Sequence, residues 1–314
     1  MTTAEQVVRA VHEVAVRAPA RETYRLLADL DNWPWIFTPF VHVESTGQEG
    51  EFERVEMWTT GSDRVERWGA LRRLDQAALR IEFRPEDVAR PLSDMERVWA
   101  VEPDGEHACL VRLLHTCTLA DDTPTARAQV TEVIDTVARA ETQAVREAAE
   151  LAAHTPELRL VVADTVDIDA EPRAVSDILH DIASWPRFLP HVARAEALQD
   201  ADGLQFVEVD TVESNGSTLA MRTARARTSE HSLAYKQLVL PPVGSSHHVR
   251  WRVFGRDGGA VVRSEQTVVI KQDGIEAMLG DGKVLADATE FIRRELSAKV
   301  RLILDGAKRQ LEGA

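Results

Sequence analysis

Residues 33–44 of this chain read WPWIFTPFVHVE and residues 185–196 read WPRFLPHVARAE. Both passages open on Trp-Pro, run through bulky apolar residues and a second proline, and reach a glutamate at the same distance, with an offset of 152 residues. Internal repetition at this period implies two tandem copies of one plan. The length agrees, since 314 residues exceed one ordinary core and suit two domains of roughly 150.

The flanking segments repeat as well. An amphipathic helical stretch opened by proline precedes each Trp-Pro, at Pro19 to Leu30 and Pro172 to Ile182, where proline suits the first helical turn. A strand-like run comes before each helix. Two-residue alternation follows at Val65–Leu74, Leu79–Phe83, Met95–Val101 and Cys109–Leu119, then again at Leu204–Val212, Thr218–Arg227, Leu233–Leu240, Val249–Phe254 and Val261–Ile270, as expected of strands. Each half closes with a long helix, near 125–152 and 282–311. Ala153-His154-Thr155-Pro156 stops the first of these, placing domains at 1–154 and 155–314. Strands followed by one long helix predict an α+β domain, a curved antiparallel sheet around the helix with a cavity between them.

Composition narrows the function. Hydrophobic residues at 44% and charged residues at 28% predict folded halves rather than disorder. A net charge of -15 argues against nucleic acid, whose phosphates need a basic surface. Charges at Glu5, Arg9 and Glu13 interrupt the apolar core a signal peptide needs, and no run of eighteen apolar residues occurs, so no membrane span and a cytoplasmic location are expected. Cys109 and Cys117, roughly 26 Å apart along one strand, cannot pair with each other.

In a curved sheet one parity faces the interior. Val111, Leu113, His115, Cys117 and Leu119 share a parity, so His115 points inward. Trp68, Ala70, Arg72 and Leu74 share another, so Arg72 lies on an apolar face and needs a partner. The first closing helix carries Val130, Val133, Ile134, Val137, Ala144, Val145 and Ala148, with Glu141 in the intervening slot; an inward carboxylate suits general acid or base work. In the second half Arg225 corresponds to Arg72, Gln266 stands in the place of His115, and Ser297 falls near the place of Glu141. That cavity is expected to lack the titratable pair. His247-His248, after a Pro-Pro-Val-Gly-Ser-Ser stretch, reads as solvated loop. No phosphate loop, G-x-S-x-G or dinucleotide fingerprint occurs, so neither metal nor cofactor is expected.

On these residues the chain resembles the bacterial di-domain polyketide aromatase/cyclases of the helix-grip (START or Bet v 1-like) superfamily. The resemblance covers nearly the whole chain, twice over. It implies Arg72, His115 and Glu141 as catalytic groups and Trp33, Phe40, Trp68, Arg97, Trp99 and Arg225 as substrate-binding positions, Phe40 standing where some single-domain members carry tyrosine. It further implies either aldol closure of the first ring, C7 to C12, with dehydration of a poly-β-ketone carried by an acyl carrier protein, or aromatisation of a ring already closed and ketoreduced, the sequence not choosing between them, with other type II polyketide synthase components as partners. The leading domain is expected to hold the catalytic hollow and the second to stabilise it or shape substrate. The competing class is a non-catalytic carrier of a lipid or aromatic molecule.

Overall fold

A computed structural model describes residues 6–61, 63–212 and 216–313. Alternating VVRAVHEVAV forms β1 (Val7–Val16), and α1 (Ala20–Ala28) starts directly after Pro19. The Trp-Pro segment makes one tight turn, α2 (Trp33–Ile36), with proline in the first turn where no N–H is missed. Then come β2 (Phe40–Glu49), β3 (Phe52–Thr60), β4 (Val65–Asp75), β5 (Arg80–Pro85), β6 (Leu92–Pro103), β7 (Cys109–Leu119) and the long α3 (Pro124–His154). Thr123 caps α3 by accepting from the Ala126 N–H at 3.1 Å, and Pro124 takes its first position.

The second half repeats the order: β8 (Arg159–Ile168), α4 (Pro172–His180), α5 (Trp185–Phe188), β9 (Val192–Ala201), β10 (Leu204–Val212), β11 (Thr218–Ser229), β12 (Ser232–Gln237), β13 (Gly244–Arg256), β14 (Gly259–Ile270) and a closing helix at Leu285–Glu312. One addition breaks the symmetry, α6 (Ile275–Leu279), so the closing helix is α7. Gly313, at φ 74°, ends α7 in the left-handed conformation that glycine adopts freely.

Each half builds a seven-stranded sheet, in the orders β1-β7-β6-β5-β4-β3-β2 and β8-β14-β13-β12-β11-β10-β9, a fold of the α+β class. Compact units comprise residues up to Met57 with Arg67–Pro156, and Trp58–Glu66 with Glu157 onward. In the first, α3 lies on β1, tied by His12 Nε2 to Asp135 Oδ1 at 2.8 Å and by Arg17 to Glu150. In the second, α7 lies on β8 through Arg301 and Asp164 at 2.9 Å. Cys109 and Cys117 are buried and free on one strand.

The buried line of α3 runs Val130, Ile134, Ala138, Thr142, Val145, Ala148 and Ala149. Val133 and Val137, expected on that line, are 61% and 42% exposed. Small Ala138 and Thr142 take the buried positions instead, the Thr142 hydroxyl donating to the Ala138 carbonyl at 2.8 Å. Glu141 therefore borders the buried line rather than sitting in it.

Candidate functional site

The interior expected to be hollow in the leading domain is filled with rings. Trp33, fixed by its Nε1–H donating to the Leu27 carbonyl at 2.9 Å, meets Phe37, Phe40 and Phe83 at centroid distances of 5.3, 5.1 and 5.1 Å. Phe37 continues to Trp99 at 6.2 Å and Phe40 to Trp68 at 6.4 Å. The remaining void is about 20 Å³, room for a single water. Edge-to-face and tilted aromatic packing accounts for the closure.

Beside this plug lie two of the three expected ionisable groups. Glu141 is ion-paired with Arg97, each side chain 16% exposed, and both border the void. His115 pairs across strands with Arg97 and is 4% exposed. Its Nδ1 meets no hydrogen-bond partner among the described residues. Burial, then the charges of Arg97 and His12, push its pKa down to about 3. Arg72 departs from expectation. It is buried but does not border the void, because its guanidinium turns to Glu53, at 2.9 Å from Nε and 2.5 Å from Nη2, and donates through Nη1 to the Ala28 carbonyl at 2.7 Å. Its charge is already compensated.

Among the described residues the second domain holds the more open interior, where a cavity of about 290 Å³ is walled by Trp185, Val209, Met221, Leu302 and Ile303. Arg225, Tyr235, His247, Gln266 and Lys299 are among its polar groups, with His191 and Glu295 also on the lining. Gln266 and Lys299 stand where the leading domain has His115 and Glu141, yet this cavity carries titratable groups that the sequence did not reveal, for two local reasons. Gly244-Ser245-Ser246 reads as a turn in sequence, yet it pairs with β14 and carries His247 and His248 into strand β13. The segment containing α6 also shifts the helical register: counted back from the helix ends, Lys299 takes the place of Glu141, and Ser297 does not border the cavity.

Comparison of the two interiors shows a redistribution of charge. Glu53, the partner of Arg72, is replaced at the repeat offset by Gln205, which faces Arg225 across the strands and donates to the His180 carbonyl at 3.1 Å. Arg225, 2% exposed, donates through Nη2 to the Leu179 carbonyl at 2.6 Å and lies 5.2 Å from the Trp185 ring centroid. Among the described residues no carboxylate pairs with it, and its Nη1 has no partner. Burial pushes its pKa down to about 10. The Tyr235 hydroxyl is raised above its usual range by burial. A cation held in a low-dielectric wall without a counter-ion is a ready receptor for an oxyanion. Gln266 and Val249 face each other where His115 and Arg97 do in the leading domain.

No group of three or more His, Cys, Asp or Glu among the described residues could hold a metal ion. Nor is any described helix long and apolar enough to cross a membrane.

Two successive seven-stranded antiparallel sheets, each followed by a long helix that lies on it, define a tandem helix-grip protein. The family described as polyketide cyclase / dehydrase and lipid transport matches residues 7–152 and again 159–312, and the chain belongs to it. It is 32% identical over 289 residues to the granaticin polyketide synthase bifunctional cyclase/dehydratase of Streptomyces violaceoruber, covering 92% of this chain and 89% of that one. It is 31% identical over 306 residues to the actinorhodin polyketide synthase bifunctional cyclase/dehydratase of Streptomyces coelicolor, covering 94% of each. Among solved structures, the di-domain ARO/CYC BexL from the BE-7585A biosynthetic pathway superposes with a TM-score of 0.92 at 36% identity, over 97% of this chain and 99% of that one.

Proposed function

We propose that this chain is an aromatase/cyclase of a type II polyketide synthase. It takes a poly-β-ketone tethered to an acyl carrier protein, closes the first ring between C7 and C12 by aldol addition, and expels water. Full-length likeness to bifunctional cyclase/dehydratases supports the reaction class. The observation that carries the mechanism is the 290 Å³ cavity with Arg225 in its wall.

A poly-β-ketone has acidic methylenes and electrophilic ketones. Folding it inside an apolar chamber brings one carbanion equivalent against one carbonyl, and chamber shape selects which pair meets. Arg225 stabilises the enolate or alkoxide oxygen that develops. This assigns the chemistry to the second domain and reverses the division of labour that the sequence suggested. Arg72, neutralised by Glu53, the Arg97–Glu141 pair and His115 then support the packing of the leading domain, with Trp33, Phe40, Trp68 and Trp99 as its aromatic core rather than as substrate contacts.

Reconstitution with a minimal synthase and mass-resolved products tests the proposal. Arg225→Ala, and Val209→Trp to fill the chamber, should each abolish the correctly cyclised product, while Arg72→Met should keep it in whatever fraction folds. Loss of product only with leading-domain variants would reverse the assignment. The apolar walls also suit a carrier, and a co-purified lipid with no effect on polyketide products would establish that reading.

A further inference from the structure

Within that reading, we propose that His247 is the proton-transfer residue of the second-domain chamber, acting through Nδ1, and that Gln266 is the positioning residue that selects its tautomer. The proposal rests on a three-member hydrogen-bond chain. The Leu296 carbonyl of α7 can only accept, so the Gln266 side-chain amide presents nitrogen to it, at 3.3 Å. The amide oxygen is thereby turned to His247 Nε2 at 3.1 Å. A carbonyl oxygen accepts, so Nε2 carries the hydrogen, and the lone pair of the neutral imidazole is left on Nδ1. That atom meets no hydrogen-bond partner among the described residues, and the side chain borders the chamber.

The surroundings keep the ring neutral, so the Nδ1 lone pair is available near neutral pH and the imidazolium formed on proton transfer is a ready acid. Lys299 reaches the same chamber from α7 and Arg225 from β11, while Tyr235, His191 and Glu295 complete its titratable lining. Burial, with the Lys299 charge adding to it, takes the His247 pKa down to about 4 in spite of the Gln266 bond. The leading domain fills the equivalent positions differently. Gln266 occupies the ladder position of His115, and His247 that of Met95. The second domain thus carries its histidine on the other strand of the pair and an amide at the position of His115.

The chemistry balances without an external reagent. His247 Nδ1 takes a proton from a methylene between two carbonyls, and the C–H electron pair becomes an enolate. The enolate carbon bonds to a ketone carbon of the same chain, and that carbonyl's π pair moves to oxygen beside Arg225. Nδ1–H then protonates the alkoxide. In the second stage Nδ1 removes the remaining α-proton, the new C=C forms, and hydroxide leaves with that proton as water.

The test uses the full-length protein. Nitrogen-15 NMR of histidine-labelled protein, with His247 assigned by its disappearance in His247→Asn, should show protonated Nε2 and unprotonated Nδ1. Gln266→Leu should abolish that preference and lower kcat with KM unchanged. In reconstitution His247→Asn should lose about 100-fold or more in cyclisation rate, while its affinity for 2-naphthoate, read by tryptophan quenching, stays within about threefold. An Nδ1–H tautomer in the unmodified protein, or full activity in His247→Asn, would overturn the proposal. If Val209→Trp also leaves products unchanged, the chamber reading itself fails; if Val209→Trp abolishes them while His247→Asn does not, only the role of His247 is lost.

Discussion

Gln205→Glu restores to the second domain the carboxylate that the leading domain keeps as Glu53. The guanidinium of Arg225 is 2% exposed and lacks a counter-ion among the described residues, and burial takes its pKa down by more than two units, to about 10. At about 1.4 kcal/mol per tenfold change in proton affinity, burial of the charge costs about 3 kcal/mol. A carboxylate at 205 recovers this through an ion pair, less roughly half for its own lost hydration. It also releases the His180 carbonyl that Gln205 now occupies, so that Arg225 can adopt the network of Arg72. The net gain is about 1–2 kcal/mol, a rise in Tm of about 2–6 °C for a domain of this size. The same change removes the receptor for anions. Affinity for 2-naphthoate should fall by about 100-fold, the equivalent of 3 kcal/mol, and the neutral methyl ester should bind as before. Scanning calorimetry and fluorescence titration read the two effects. A variant that melts at or below the parent and still binds 2-naphthoate would refute the idea that Arg225 is a charge waiting for its ligand.

Acid should destabilise the fold in a defined window. His115 and His247 have folded pKa values depressed to about 3 and about 4, so between those values and about 6.5 the unfolded chain binds more protons than the native one. Stability is then complete above pH 6.5 and falls by up to about 1.4 kcal/mol per pH unit per histidine as the pH drops; urea titrations of His115→Leu and the parent from pH 7 to 4 should give a shallower slope in the variant. Glu141→Gln should cost about 2 kcal/mol, short of the 3–5 kcal/mol of a fully buried pair, because 16% of each side chain stays exposed. The double variant Arg97→Met, Glu141→Leu should recover most of that loss in thermal denaturation. Thr123→Ala should remove about 1 kcal/mol by uncapping α3, without altering product profiles.

The tandem organisation was legible because a repeat in sequence needs no tertiary knowledge. Leu204–Val212 and Cys109–Leu119, expected from alternation, coincide with β10 and β7; the period of two survives wherever one sheet face is dry. Strand β13 was truncated at its start because Gly-Ser-Ser has turn chemistry and only the β14 ladder makes it extended. His247 was lost with it. The inward parity of His115 and Arg72 was readable, but parity gives direction and not destination: Arg72 ends on Glu53, from a neighbouring strand, and His115 beside Arg97.

The sequence alone determined the number of domains, their order of elements and the sign of each sheet face, since these depend on local periodicity and on likeness between two segments. Which of the two interiors stays open was decided by tertiary structure. Trp33, Phe37, Phe40, Phe83 and Trp99 come from a turn and three strands that are distant along the chain, and only their packed volumes close one domain. In the other, a glutamine in place of a glutamate leaves an arginine with its charge unspent in the wall of the cavity.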